Sequence, residues 1–255
     1  MKILLTNDDG IDAPGMGQML ELLAPFPCEI GVFAPKRNQS GVGHAITLGR
    51  EIEIVPHPLR GREGWRVDGT PADAVKFALD NGMFTPDLVL SGINGGPNMG
   101  NNIHYSGTVG AALEAYIHNV PALALSVENM DAPRWEPAIV WGRKILEKIW
   151  GRVEKKRPGA RAFLLNVNFP DIPAAAVKGV KLTRQGDNGF AEKFFPSPSG
   201  KENHYVLAGE MVFPDTAADV DTVAVRDGWV SLSPLHARLN CACHREWLRP
   251  LLAGI

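Results

Sequence analysis

The sequence predicts an α/β fold, a mostly parallel sheet covered by helices on both faces. Two observations carry that reading. Short apolar runs alternate with helical patterns from the start to about residue 167. The runs are apolar throughout instead of alternating, as strands buried on both faces are.

Taken in order, residues 2–6 (KILLT) read as the first buried strand. Residues 15–23 form a short amphipathic helix through Met16, Met19, Leu20, Leu22 and Leu23. The next strand covers 29–34 and stops at Pro35. Between 47 and 67 the rhythm breaks: Ile52 and Ile54 alternate with Glu51 and Glu53, the mark of strand or hairpin structure partly open to water. A helix over 72–79 starts near Asp68 or Thr70 with Pro71 in its first turn. A strand at 87–91, an alanine-rich helix at 108–117, a strand at 122–126 and a helix at 137–150 follow, then an apolar run at 163–167. Trp135, Trp141 and Trp150 read as packing residues of that last helix and its surroundings. Residues 185–221 are rich in Gly, Pro and polar residues yet carry Phe190, Phe194, Phe195 and Tyr205. Such a stretch is either disordered or an arm that packs on something, another subunit included. Strand character returns at 223–232, and 245–252 reads as a terminal helix. The expectation is one domain, with a core over 1–183 and an oligomerising remainder over 184–255.

Composition narrows the function. With 26 basic and 28 acidic side chains the formal charge is -2, which argues against stable binding to a nucleic-acid duplex by phosphate neutralisation. One small anionic substrate in a local pocket stays open. No apolar run reaches the length of a membrane span, and the first residues turn acidic too soon for a signal peptide. Three cysteines, Cys28, Cys241 and Cys243, make no even-numbered disulfide framework. A cytoplasmic protein with no membrane partner is expected.

Open parallel sheets bind ligands beyond the carboxyl ends of their strands. Three polar, glycine-rich turns follow the predicted strands: Asn7-Asp8-Asp9-Gly10, the stretch from Pro35 to His44, and Gly92 to Asn98. They converge on one edge of the sheet. Asp8 and Asp9 would repel each other and resist ionisation unless a cation lies between them. Mg²⁺ or Mn²⁺ takes such oxygen ligands, with Ser or Asn completing the shell. The alternative is a plain turn, for which Asp-Asp-Gly is also good chemistry. Dinucleotide and P-loop fingerprints are both missing. Ser106, Gly107 and Thr108 open a helix where backbone N–H groups and hydroxyls could take a phosphate, or simply cap the helix.

These residues carry a family resemblance. MKILLTNDDGIDAPG (1–15), APKRNQSGVGHAITL (34–48), GTPADA (69–74), PDLVLSGINGGPNMG (86–100) and YSGTVGAA (105–112) resemble the SurE family of stationary-phase survival proteins, metal-dependent 5′/3′-nucleotidases. LNVNFP (165–170), TRQG (183–186) and GWVSLSPL (228–235) follow in the expected order, so the resemblance spans nearly the whole chain. It implies that Asp8, Asp9, Ser40 and Asn94 hold one divalent metal ion per subunit, Mg or Mn. It places Asn98 and the Ser106-Gly107-Thr108 turn on the phosphate side. It also implies a Rossmann-like three-layer α/β/α sandwich, a protruding β-hairpin or arm, and C-terminal exchange giving a homodimer or homotetramer. The family's acidic stretch before its late strand is partly kept, as Asp219-Val220-Asp221-Thr222.

The expected reaction is hydrolysis of a nucleoside monophosphate to nucleoside and phosphate by a metal-activated water, with Asp8 and Asp9 as catalytic residues. Asp9 is favoured over Asp8 for orienting or deprotonating that water. His44 and His104 lie in the converging loops, either as proton donors to the leaving oxygen or as substrate contacts. Phe190, Phe194 and Phe195 either stack on a base or pack an oligomer. Cys241-x-Cys243-His244 lacks the second pair that a zinc site needs. The competing readings are a broader phosphatase or exopolyphosphatase, and a nucleotide sensor without catalysis.

Overall fold

A computed structural model describes residues 1–154 and 162–252. In chain order the elements are β1 (Lys2–Thr6), α1 (Pro14–Leu23), β2 (Glu29–Pro35), β3 (Ile54–Pro56), β4 (Gly64–Val67), α2 (Pro71–Asp80), β5 (Leu88–Gly95), α3 (Gly107–Ile117), β6 (Ala122–Val127) and α4 (Glu136–Glu154). Then come β7 (Leu164–Phe169), β8 (Val180–Leu182), β9 (Gly189–Pro196), β10 (Tyr205–Val212), α5 (Asp221–Arg226), β11 (Val230–Leu235) and α6 (Ala242–Leu251). A 3₁₀ segment covers Gly100–Tyr105.

Nine strands form one sheet in the order β3-β4-β2-β1-β5-β6-β7-β11-β8. The centre, from β4 through β7, is parallel; β3 and β11 run antiparallel to their neighbours β4 and β7. Alternation along β1 decides the layers, since successive side chains of a strand point to opposite faces. Ile3 and Leu5 join Met16, Met19 and Leu23 of α1 and Ile145 and Leu146 of α4 in one core. Leu4 joins Val75 of α2 and Val109 and Ala112 of α3 in the other. The result is the three-layer arrangement expected.

Local chemistry explains the helix starts. Thr70 accepts from the Asp73 N–H at 3.0 Å while Asp73 accepts from the Thr70 N–H at 2.9 Å, a reciprocal capping box with Pro71 following. Ser106 caps α3 by accepting from the Val109 N–H at 3.1 Å.

Differences from expectation have identifiable causes. Residues 221–226 are helix α5, not strand. The valines favour a strand in isolation, but Val223, Ala224 and Val225 are all buried, and the Asp221 carboxylate accepts from the Thr222 N–H in the helix's first turn. Strand character begins only at Val230, after the turn at Gly228 with φ +84°. Residues 189–212 form the expected hairpin, two strands separate from the main sheet. The edge structure between 47 and 67 is confined to β3 and β4. Trp141 donates to the Ala174 carbonyl and Trp150 stacks on Phe26, so both pack as expected. Cys28 is free, whereas Cys241 is disulfide-bonded, which the odd cysteine count did not anticipate. The Cys243 side chain lies outside the described residues. No helix among those described is long and apolar enough to cross a membrane.

Candidate active site

The order in which strands are added reverses between the parallel neighbours β1 and β5: β2 and β4 lie to one side, β6 and β7 to the other. Such a switch point leaves a crevice at the carboxyl ends of its two strands. Asp8 and Asp9 follow β1 directly, and Asn94 sits at the end of β5. Asn7 shapes the first turn, donating to the Gly10 carbonyl at 2.8 Å and accepting from its N–H at 3.2 Å. A register shift between Ser91 and Asn94 lets the end of β5 depart from regular strand geometry before Asn94 pairs with Ser126.

Asp8 is 5% exposed. Burial raises its proton affinity, opposed by hydrogen bonds from the Thr108 hydroxyl and from backbone N–H groups that include that of Thr108. The hydroxyl bond is 2.5 Å long. Asp9 is pushed up to about 6, first by burial and then by the Asp8 charge, against a backbone hydrogen bond from Gly95. The loop after β2 closes over this pair: the Gln39 N–H donates to the Asp8 carbonyl at 2.7 Å, and Asn38 lies 3.4 Å from Asp9 while accepting from the Ser40 N–H at 2.7 Å.

Asp8, Ser40, Asn94, Asn98 and Ser106 border one cavity of about 460 Å³. Asn94 donates its amide to the Gly96 carbonyl at 2.7 Å, leaving its carbonyl oxygen as acceptor. The Ser40 hydroxyl has no partner among the described residues. Two carboxylates, an amide oxygen and a hydroxyl form an all-oxygen donor set that could hold a hard divalent cation, and such a cation would relieve the repulsion that loads Asp9.

The phosphate-side expectations divide. Ser106 borders the cavity while capping α3. Asn98 borders it too, tied down by Ser126 at 2.8 Å, by Asn168 through its N–H at 2.9 Å, and by Asn166 and Asn168 through its carbonyl. Gly107 is where α3 meets Asp8: a Cβ there would lie 2.8 Å from the Asp8 Cβ, so only glycine permits the approach. Thr108 does not border the cavity. It is fully buried, and its hydroxyl and N–H serve the Asp8 carboxylate, so its contact is to a protein anion.

Neither His44 nor His104 borders this cavity. Both line a neighbouring one of about 580 Å³, beside Arg184, Gln185 and His236. His44 is captured 2.7 Å from Glu114 on the flank of α3. In the 3₁₀ turn, residues three apart share a face. Asn102 and Tyr105 therefore meet the Asp8 cavity, while His104 contacts Gln185 at 3.2 Å on the other side.

Several contacts escaped sequence reasoning. Fully buried Asp221 accepts from the N–H groups of Gly100 at 2.8 Å and Gly186 at 3.3 Å, joining the 3₁₀ turn to the base of the hairpin. Glu114 binds Lys76 at 3.2 Å as well as His44. The available signal lay in β7, where Asn166 and Asn168 alternate within an apolar strand and so share one face.

The chain matches a family model described as survival protein SurE over residues 3–192. It is 39% identical over 254 residues to a protein of Desulforamulus reducens named 5'-nucleotidase SurE, covering 97% of each chain. A protein of the same name from Desulforudis audaxviator is 41% identical over 246 residues, 94% of this chain and 93% of that one. Among solved structures, the crystal structure of the SurE protein from Aquifex aeolicus superposes with a TM-score of 0.79 at 34% identity, over 98% of this chain and 99% of that one.

Proposed function

Because this chain belongs to the SurE family, we propose that it is a divalent-metal-dependent nucleotidase converting nucleoside monophosphates to nucleoside and phosphate. The observation that carries the reading is the adjacent pair Asp8 and Asp9, drawn out of water at the switch point beside a cavity to which Ser40 and Asn94 bring neutral oxygens. In this reading Asp8, Asp9, Ser40 and Asn94 hold Mg²⁺ or Mn²⁺. When bound, that ion polarises the phosphoryl group and lowers the pKa of water.

The chain's own groups supply the remainder. Thr108 locks the rotamer of Asp8, so that carboxylate stays where folding puts it. Asp9 is the less constrained carboxylate and takes the role of orienting water and receiving its proton. Water oxygen bonds to phosphorus, the bond from phosphorus to the ester oxygen breaks, and a proton ends on the leaving alcohol. Ser106 Oγ–H, the Gly107 N–H and the second Asn98 amide hydrogen are the donors available to phosphoryl oxygens as charge develops. Homo-oligomers are part of the same reading, since Phe194, Phe195, Trp247 and Leu251 are exposed large apolar side chains outside the core.

The test is phosphate release from nucleoside monophosphates, sugar phosphates and polyphosphate with Mn²⁺, Mg²⁺ or EDTA, beside Asp9→Asn. Metal-dependent release from nucleotides, abolished by the substitution, supports the reading. Release mainly from sugar phosphates or polyphosphate moves it to a broader phosphatase, and binding without release to a sensor.

A further inference from the structure

The hairpin β9–β10 does more than project from the sheet: Phe190, Glu192 and Leu207 border the same cavity as Asp8, together with Met130, Tyr105 and Asn102. Cross-strand register explains which side chains face it. Phe190 pairs with Met211, Glu192 with Gly209 and Phe194 with Leu207, and directly opposed residues of an antiparallel pair share a face. That face is apolar except for Glu192. Gly209, directly across from Glu192, admits no side chain, because a Cβ there would lie 2.4 Å from the Ala191 carbonyl oxygen. The hairpin is tied to the 3₁₀ turn by Asn101, which donates to the Asp187 carbonyl at 3.2 Å, and by Asn102 against the Met211 sulfur at 3.5 Å. The Glu192 carboxylate has no hydrogen-bond or ion-pair partner among the described residues.

A cavity whose sheet-side oxygens would hold a divalent cation, with aromatic and aliphatic side chains on its hairpin side, suits a ligand that is anionic at one end and flat and apolar at the other. Resting on the nucleotidase reading, we propose that Tyr105, Met130, Phe190 and Leu207 form a subsite for the nucleobase, and that Glu192 reads the base edge. A carboxylate only accepts hydrogen bonds. Guanine offers it two adjacent donors, N1–H and the N2 amino group. Adenine and cytosine offer one amino group beside an acceptor. Uracil turns two carbonyl oxygens toward it around a single N–H. The order of preference is therefore guanine, then adenine and cytosine, then uracil. The same negative charge disfavours a substrate that continues as a chain of phosphates along this wall.

The experiment measures kcat/KM for GMP, AMP, UMP and ribose 5-phosphate with the full chain, with Glu192→Gln, and with Phe190→Ala. The expected wild-type ratio of GMP to UMP is about tenfold, collapsing toward unity in Glu192→Gln. In Phe190→Ala the ratio of every nucleotide to ribose 5-phosphate falls about five- to tenfold, chiefly through KM. Equal kcat/KM for GMP and UMP in the wild type, or a ratio that survives Glu192→Gln, overturns the subsite while leaving the nucleotidase reading intact. Turnover of ribose 5-phosphate with none of any nucleotide overturns both.

Discussion

Thr108 Oγ1 donates to Asp8 Oδ1 at 2.5 Å across 100 positions of sequence. The bond joins the end of β1 to the start of α3, and with Gly107 permitting the approach it determines where the Asp8 carboxylate points. Replacing Thr108 by Val keeps the shape but removes one donor from a buried acceptor, at a cost of about 1–3 kcal/mol. Thermal unfolding of Thr108→Val should show that loss, with kcat reduced beyond what stability explains. Thr108→Ser keeps the hydroxyl and should recover most of both. A Val variant with wild-type kcat would mean that Asp8 needs no such positioning.

The raised proton affinity of Asp9 sets a pH dependence with a definite sign. Its carboxyl titrates near 3.8 when unfolded and about 6 when folded without metal. Folding then favours the protonated form, so the cost to stability begins as pH rises through the unfolded value and is complete above the folded one. Metal-free protein should therefore lose stability between pH 4 and pH 7 relative to Asp9→Asn. Mg²⁺ or Mn²⁺ should raise the wild-type Tm at pH 7 by mass action, and much less that of the variant. Parallel Tm scans of both proteins, with EDTA and with metal, read this difference.

Glu114 behaves oppositely. Burial raises its proton affinity, but hydrogen bonds from His44 and Lys76 and the Lys76 charge outweigh that and leave it below the ordinary glutamate value. Its contribution is present above that ordinary value and lost as pH falls through the folded one. Because His44 lies in the loop that carries Ser40, Glu114→Gln should loosen that loop. The checks are a smaller loss of stability on acidification than in the wild type, and a raised metal concentration for half-maximal activity.

Asp221 makes a third case. Asparagine in its place keeps one acceptor and brings amide hydrogens toward the N–H groups of Gly100, Gly186 and Thr222. Asp221→Asn should cost about 1–3 kcal/mol and free the hairpin base. Limited proteolysis should then cut within 185–221 faster than in the wild type; an unchanged rate would show that the hairpin is held by other contacts.

The predictions for Thr108, Glu114 and Asp221 turn on contacts between distant segments, and that marks the boundary of what could be read in advance. Strand β1, helices α2 and α3 and the polar turns after β1, β2 and β5 were legible, because buried runs, capping residues and glycine turns are local signals. So was the meeting of Asp8, Ser40 and Asn94 at one cavity, since parallel topology brings carboxyl ends together. Helix α5 was misread because strand propensity is local while the burial that overrides it is not.

What the amino-acid order determined by itself, then, was the layered sheet and the oxygen-rich turns at its edge, both consequences of periodicity and turn chemistry. Tertiary structure alone decided the long-range partners of side chains. It turned Thr108 onto Asp8, drew His44 to Glu114, faced His104 away from the Asp8 cavity and laid the hairpin's Phe190 and Glu192 along its wall. A side chain's direction depends on which acceptor lies within hydrogen-bond reach once remote segments pack, and no local pattern encodes that distance.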